Sequence, residues 1–363
     1  MRLYFSFLLI FIGISLPINS GAKEQSLPKI TPSKILEEGV TQVVLSSDQK
    51  HLFVANKKHE ILILDALTGT LEKKILYGSN VVAMEVSNDG KILFVGAEDG
   101  KARAIEITTG KVLAEVQHTQ YVTYLAITPD GKYMFSGAVA RTDVVMTEVS
   151  SGKTIQKIRT PHIDKIIVSA DGKYLVIDTS FERELLIFDI AKQEIVRAIR
   201  KGNSTKTMRL SDDPSKLYLH QTDTGGFRIL CIDIETGRIN ELPYLRGVDN
   251  FWISKNGKYL FAGVNEQPRV DSLQVYNLFS DDLLFKVPHY GYFESLAESD
   301  DGRYIFTGTW GDDKLRIIDL VTGQVVSEIQ HNDGINLLIT NQAGNRLYSL
   351  VGWELHFYEL NLP

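Results

Sequence analysis

Hydrolysis of an ester or lactone needs a base beside a cation that polarises the carbonyl. Arg141, Asp143, Glu182, Arg183, Glu266, Arg269 and His289 are the residues of this 363-residue chain with the types for that work. They are spread widely, and no Gly-x-Ser-x-Gly turn or glycine-rich phosphate loop accompanies them. The acidic pairs Asp281-Asp282, Asp300-Asp301 and Asp312-Asp313 each lie in a turn-rich stretch, where aspartate bonds to its own backbone. His118, His162, His289 and His331 show no His/Cys spacing for zinc, and no calcium loop is present. The expectation is therefore no catalytic set, no metal and no cofactor. Binding chemistry is better represented. Tyr290, Tyr292, Trp310 and Trp353 are large aromatics with polar handles, the type enriched in binding hot spots, and Glu266 and Arg269 sit in a neighbouring polar stretch. The competing expectation is that these aromatics only pack.

Those residues lie in the gaps of a repeat. Residues 299–331 contain an Asp-Gly turn, an aromatic and β-branched run, a second turn at 311–313, an apolar run at 315–320, a Thr-Gly turn and a further run to Gln330. The box that opens this unit recurs at Ser46, Ser87, Thr128, Ser169, Ser211, Ser254, Ser299 and Thr340, with spacings of 41, 41, 41, 42, 43, 45 and 41. The strand-end turn recurs at Thr68-Gly69, Thr109-Gly110, Ser151-Gly152, Thr236-Gly237 and Thr322-Gly323. The runs alternate or are solidly apolar instead of following a helical period. Four short strands in about 40 residues, repeated, predict an all-β propeller.

Eight repeats predict eight four-stranded blades, with seven blades and one aberrant repeat as the alternative. The last repeat, 335–360, supplies only three strands, so residues 33–37 are expected to add the fourth and close the ring. The turn boxes then occupy one face of the disc. The variable stretches 264–271, 288–293, 310–313 and 352–354 fall on the other, from sequential blades, where binding residues gather on a rigid scaffold. The recurrence of the histidines at one place in the repeat predicts structural hydrogen bonding.

The Asp-Gly-Lys-Tyr boxes, the segment Ile317 to Gly323 and the loop histidines resemble WD40 repeats, and equally the YVTN-type repeats of bacterial and archaeal propellers, over roughly residues 31–363. The tryptophan of the Trp-Asp pair is replaced in Leu64-Asp65, Phe188-Asp189, Ile232-Asp233 and Ile318-Asp319, so the WD40 hydrogen-bonded tetrad is incomplete. The resemblance implies three functions: a protein- or ligand-binding scaffold, a lactonase-type hydrolase, and a periplasmic carrier of haem or quinone. The first is expected here, as a non-enzymatic monomer.

Residues 1–22 have a basic start, an apolar core from Leu3 to Ile18 and small residues before Lys23, the pattern of a secretory signal peptide cleaved near Ala22. The core is shorter than the roughly 20 residues of a spanning helix, and no other stretch approaches that length. Residues 23–30 read as a linker and 31–363 as one domain, in a periplasmic or secreted protein. The single cysteine, Cys231, allows no internal disulfide or lipoprotein anchor and is expected to be a buried structural thiol. A net charge of -6 without a basic stripe gives nucleic-acid binding no electrostatic support. Asn203-Ser-Thr205 is an N-glycosylation acceptor sequence in an expected surface loop.

Overall fold

In most blades the first and second strands are joined by the same hydrogen-bonded turn. In the computed structural model, the Ser299 hydroxyl donates to Asp301 (2.6 Å) and accepts from the Tyr304 amide (2.9 Å), while Asp301 accepts from the Arg303 amide (3.0 Å). Gly302, at φ 65°, takes the left-handed corner between them. The same three bonds recur around Ser46, Ser87, Thr128 and Ser169, and around Ser254 with Asn256 in place of aspartate. The eighth box opens one residue later than expected, at Asn341. Its side-chain oxygen accepts from the Arg346 amide (2.9 Å), so an amide does the work of the missing hydroxyl.

The structure describes residues 30–139, 143–179, 182–211, 213–223, 226–242, 247–266, 270–299, 301–341, 344–360 and 362. The signal-peptide stretch, most of the linker, Arg141 and Arg269 lie outside them. The described strands form eight four-stranded antiparallel sheets, the blades of a β-propeller. Blades one to seven span 40–76, 81–117, 122–159, 163–200, 205–241, 248–289 and 291–330, each running from its inner to its outer strand. The unit that carries the repeat signal thus begins inside a blade: the strand Ile335–Thr340 is the inner strand of the next one.

Blade eight joins three C-terminal strands to Lys34–Leu36, which pairs with Glu354–Glu359 in the register Lys34↔Phe357, Ile35↔His356, Leu36↔Leu355. The N-terminal strand therefore closes the ring and leaves no three-stranded blade. Among the described residues no helix is long and apolar enough to cross a membrane.

The middle strands of a blade are covered on both sides by neighbouring blades, so they read as solid apolar runs: residues 52–55 and 61–64 are at most 4% exposed. Outer strands face solvent, as in Leu71–Leu76. At four seams an apolar residue near the start of one blade's inner strand presses on the fifth residue of the previous blade's second strand. That position is Gly96, Gly137, Gly263 or Gly308 in four blades, and a Cβ there would come within 2.5–3.3 Å of Val122, Ile163, Phe293 or Ile335. Blade four instead has Asp178 there, paired with Lys201 at 2.5 Å, both side chains fully buried. All eight inner strands carry a register shift, just after the first residue in seven of them and after Phe293, the third, in blade seven.

The aspartate retained from the Trp-Asp pair has a local role. Asp65, Asp233 and Asp319 accept from the amides of Thr68 (2.6 Å), Thr236 (2.8 Å) and Thr322 (3.0 Å) and so cap the outer hairpin turn. Cys231 is half-buried, not fully buried as expected, because it lies in the third strand of blade five near a short outer strand, Ile239–Glu241. Burial, only partly offset by a hydrogen bond from Tyr218, pushes its thiol pKa up.

Candidate functional site

The inner hairpin of blade seven is longer than most. Its strands Gly291–Glu298 and Tyr304–Gly311 have eight residues each, against six in Val81–Val86 and Ile92–Ala97 of blade two. The extra pairs, Gly291↔Gly311 and Tyr292↔Trp310, lift two aromatics opposite each other at the end of the ladder, on the face away from the turn boxes. Stretches expected as loops at 264–266, 270–271, 291–293 and 310–311 are therefore ladder instead. Gly291 makes the crossing possible: at φ 101°, a Cβ would meet the Trp310 carbonyl oxygen at 1.9 Å.

Tyr290, Tyr292, Trp310 and Trp353 are 62%, 60%, 51% and 54% exposed. The Trp310 ring lies directly on Gly334, in the connection to blade eight, where a Cβ would come within 1.9 Å of it. Next to it, Asp333 packs on Gly352, which precedes Trp353 in the middle turn of blade eight. Lys57 of blade one sits 3.4 Å from the centre of the Trp353 ring, and the Val40 amide donates to the Trp353 carbonyl at 2.8 Å. The four aromatics thus form one arc over blades seven and eight that ends against blade one. Two of them also brace a seam while leaving about half of their surface open.

The charged groups beneath the arc are engaged. Asp312 accepts from the Thr309 hydroxyl, the Arg316 guanidinium and the amides of Lys314 and Tyr290. Burial works against its charge, yet Arg316 and Thr309 hold the carboxyl below its ordinary value. Arg316 also binds Glu328 at 2.8 Å. His289 is buried edge-on to Phe293, and burial, then the Arg316 charge, push its pKa down to about 4. It is a neutral packing residue beside the arc. Glu266 ends a strand of blade six, while Asp143 belongs to blade three and Glu182 and Arg183 to blade four. The described residues among those considered for carbonyl chemistry thus come from blades three, four and six, with His289 at the end of blade six.

Beside Trp353 the arc opens into a cleft of about 420 Å³, lined among others by Gln330, His331, Asp333, Trp353, Glu354 and His356. Behind its wall runs a hydrogen-bonded chain: Glu354 to His356 Nε2 (3.2 Å), His356 Nδ1 to the Tyr358 hydroxyl (3.4 Å), and that hydroxyl to His331 Nε2 (3.1 Å). Burial pushes the Tyr358 pKa up to about 12 and that of His331 down to about 4, the latter helped by His356. His331 is thus structural, as its place in the repeat predicts, and so is His118, bonded to Ser136 at 2.9 Å. Sequence reasoning missed the cleft, although Glu354, His356 and Tyr358 alternate along a strand with the apolar Leu355 and Phe357 between them.

Comparison with known proteins agrees with this architecture. The WD40 family, described as "WD domain, G-beta repeat", matches at residues 110–142, from the outer hairpin of blade two into blade three. No curated protein matches the chain in sequence. Among solved structures, the computationally designed Ika8 protein is similar at 16% identity and a TM-score of 0.72, over 91% of this chain and 98% of that one. Dihydro-heme d1 dehydrogenase NirN in complex with DHE gives 16% identity and a TM-score of 0.69 over 90% and 71%. Kuenenia stuttgartiensis hydrazine synthase gives 16% and 0.58 over 78% and 96%. At these identities the likeness is one of fold. The chain is a WD40-like repeat β-propeller.

Proposed function

We propose that this WD40-like propeller is an exported, non-catalytic binding protein that holds its partner or ligand on the loop face of blades seven and eight. The observation that carries the reading is the arc of Tyr290, Tyr292, Trp310 and Trp353, four large aromatics more than half exposed and grouped at one seam, whereas the exposed Tyr121 and Phe279 stand singly on other blades. A contiguous exposed aromatic surface on a rigid frame is the usual mark of an interaction site. The polar groups below it are consumed in holding the frame, which favours binding over chemistry. Export rests on the leader-like residues 1–22.

Lactone hydrolysis and carriage of haem or quinone are the competing readings, because fold alone does not choose a function. Three measurements on the purified mature protein separate them: a visible absorbance spectrum, a metal analysis and a lactone-hydrolysis assay. The proposal expects no chromophore, no stoichiometric metal and no turnover above buffer. Turnover lost in a folded His289→Ala or Glu266→Ala variant would overturn it in favour of an enzyme.

A further inference from the structure

In every blade but the last, the third and outer strands are joined by a turn on the same face as the turn boxes, since each strand crosses the disc once. The tip of that turn is the second residue after the third strand. In blades two to five it is Thr108, Ser150, Ala191 and Glu235, polar or small in each. In blades six, seven and one it is Phe279, Val321 and Leu67, exposed by 80%, 83% and 62%. A single exposed leucine needs no explanation. Here one repeat position is large and apolar in three blades and in none of the other four, and equivalent positions of a propeller lie near one plane. The three tips thus stand out together from the box face, around blade eight.

Blade eight has no such turn because the N-terminal strand takes the outer place, and the way that strand arrives indicates what the tips meet. Lys34 lies opposite Phe357 and Leu36 opposite Leu355, so the strand runs from the box face toward the loop face. The Lys34 ammonium donates to the Gly69 carbonyl, in the same turn as Leu67, and Ile30 packs on the apolar cluster that contains Leu360. The chain therefore enters the propeller between the blades whose tips are Val321 and Leu67. Residues 19–29 separate this point from the apolar run Leu3–Ile18 and reach at most about 40 Å when extended. A leader run of that kind meets lipid during export. From this we infer that the box-face rim of blades six, seven and one docks on a lipid bilayer, with Phe279, Val321 and Leu67 entering its apolar boundary and the loop face turned away.

A bilayer fits these tips better than a protein partner does. Separate apolar points in one plane suit a flat, deformable apolar phase, whereas a protein interface has a continuous, close-packed core. The surrounding charges set the kind of bilayer. The turn boxes and outer turns of these blades hold no excess of basic residues, and Asp281 and Asp282 follow closely on Phe279. Attraction to anionic headgroups therefore adds nothing, and the contact depends on apolar burial. The inference concerns the face opposite the aromatic arc and does not rest on it. Where both hold, the arc points away from the lipid.

The experiment is co-flotation of the mature protein with phosphatidylcholine vesicles, repeated with brominated lipid as a quencher of tryptophan fluorescence. Binding is expected, little changed by salt and no stronger when phosphatidylglycerol is added. Phe279→Ser and Leu67→Ser, whose melting curves should match the wild type because the tips are exposed, should each weaken it about tenfold, the effect of withdrawing one large apolar side chain from lipid. Leu76→Ser removes a leucine that is 79% exposed at the loop-face end of the outer strand of blade one, and should leave binding unchanged. Trp310 and Trp353 face away from the lipid, so brominated vesicles should quench wild-type emission little and Phe279→Trp emission strongly. A wild type that does not float, or flotation indifferent to the tip variants, would overturn the inference. So would wild-type quenching as strong as that of Phe279→Trp, which would put the loop face on the membrane. A dimer that falls apart in Phe279→Ser, without flotation of the wild type, would also overturn it and assign the rim to a second copy of the chain.

Discussion

Replacing Lys201 with methionine should destabilise the propeller strongly and in a pH-dependent way. Asp178 and Lys201 are 2.5 Å apart with both side chains fully buried, at the seam position that glycine occupies in four other blades. The ammonium also donates to Thr205 (3.0 Å), the first inner residue of blade five, so the pair joins two blades. Methionine keeps most of the stem and removes the charge, leaving a buried carboxylate alone. Breaking such a pair costs about 3–5 kcal/mol, which for a domain of this size corresponds to a thermal midpoint roughly 4–7 °C lower. Burial, outweighing the attraction of Lys201, already raises the Asp178 carboxyl above its ordinary value. A raised carboxyl favours the fold most below its unfolded value and loses that contribution as pH rises through the folded one. Losing the cation raises it further. The deficit of Lys201→Met should therefore be largest near neutral pH and shrink as pH falls toward the ordinary carboxylate value of 3.8. Urea unfolding at pH 7.5 and pH 5 measures both effects, and adding Asp178→Asn should recover most of the loss at pH 7.5. A deficit below ~1 kcal/mol, the size expected of a solvated pair, or one that does not change with pH, would refute the argument.

Two further perturbations test the frame. Deleting residues 31–38 removes the strand Lys34–Leu36 and exposes the edge of Glu354–Glu359, and should lower the thermal midpoint by about 5 °C or more; an unchanged melting curve would refute closure by the N-terminal strand. Ser299→Ala removes the hydroxyl that donates to Asp301 and accepts from the Tyr304 amide, at a cost of about 1–3 kcal/mol by chemical denaturation. Because that hydroxyl is the leading cause of the lowered Asp301 carboxyl, that part of the contribution is present above 3.8 and lost as pH falls below it, so the gap between variant and wild type should narrow in acid without closing.

The frame was legible in the sequence because its signals are local. A Ser-x-Asp-Gly box bonds within five residues, so its copies leave related traces even where one residue changes, and eight of them give eight blades. Closure was legible by subtraction, since 335–360 holds three strands and 33–37 a fourth. The last box was misplaced by one residue because Thr340 and Asn341 are adjacent and the bond there uses an amide oxygen. The candidate site was legible only as residue types. Tyr292 and Trp310 become partners through the ladder, and Trp310 reaches Gly334 through the seam, relations that no spacing along the chain records. The cleft was not legible because His331 comes from the end of blade seven, while Glu354, His356 and Tyr358 come from a strand that the N-terminal segment covers.

The most direct test of the binding face is site-specific photo-cross-linking in the cells that make the protein. A photoreactive phenylalanine analogue replaces Tyr292 on the loop face in one variant and Lys91 in a turn box on the opposite face in another, and the adducts are identified by mass spectrometry. The account predicts a discrete adduct, of the same identity, from position 292 and from the same analogue at Trp353, and none from position 91. Adducts shared equally by both faces, or found only from position 91, would contradict it.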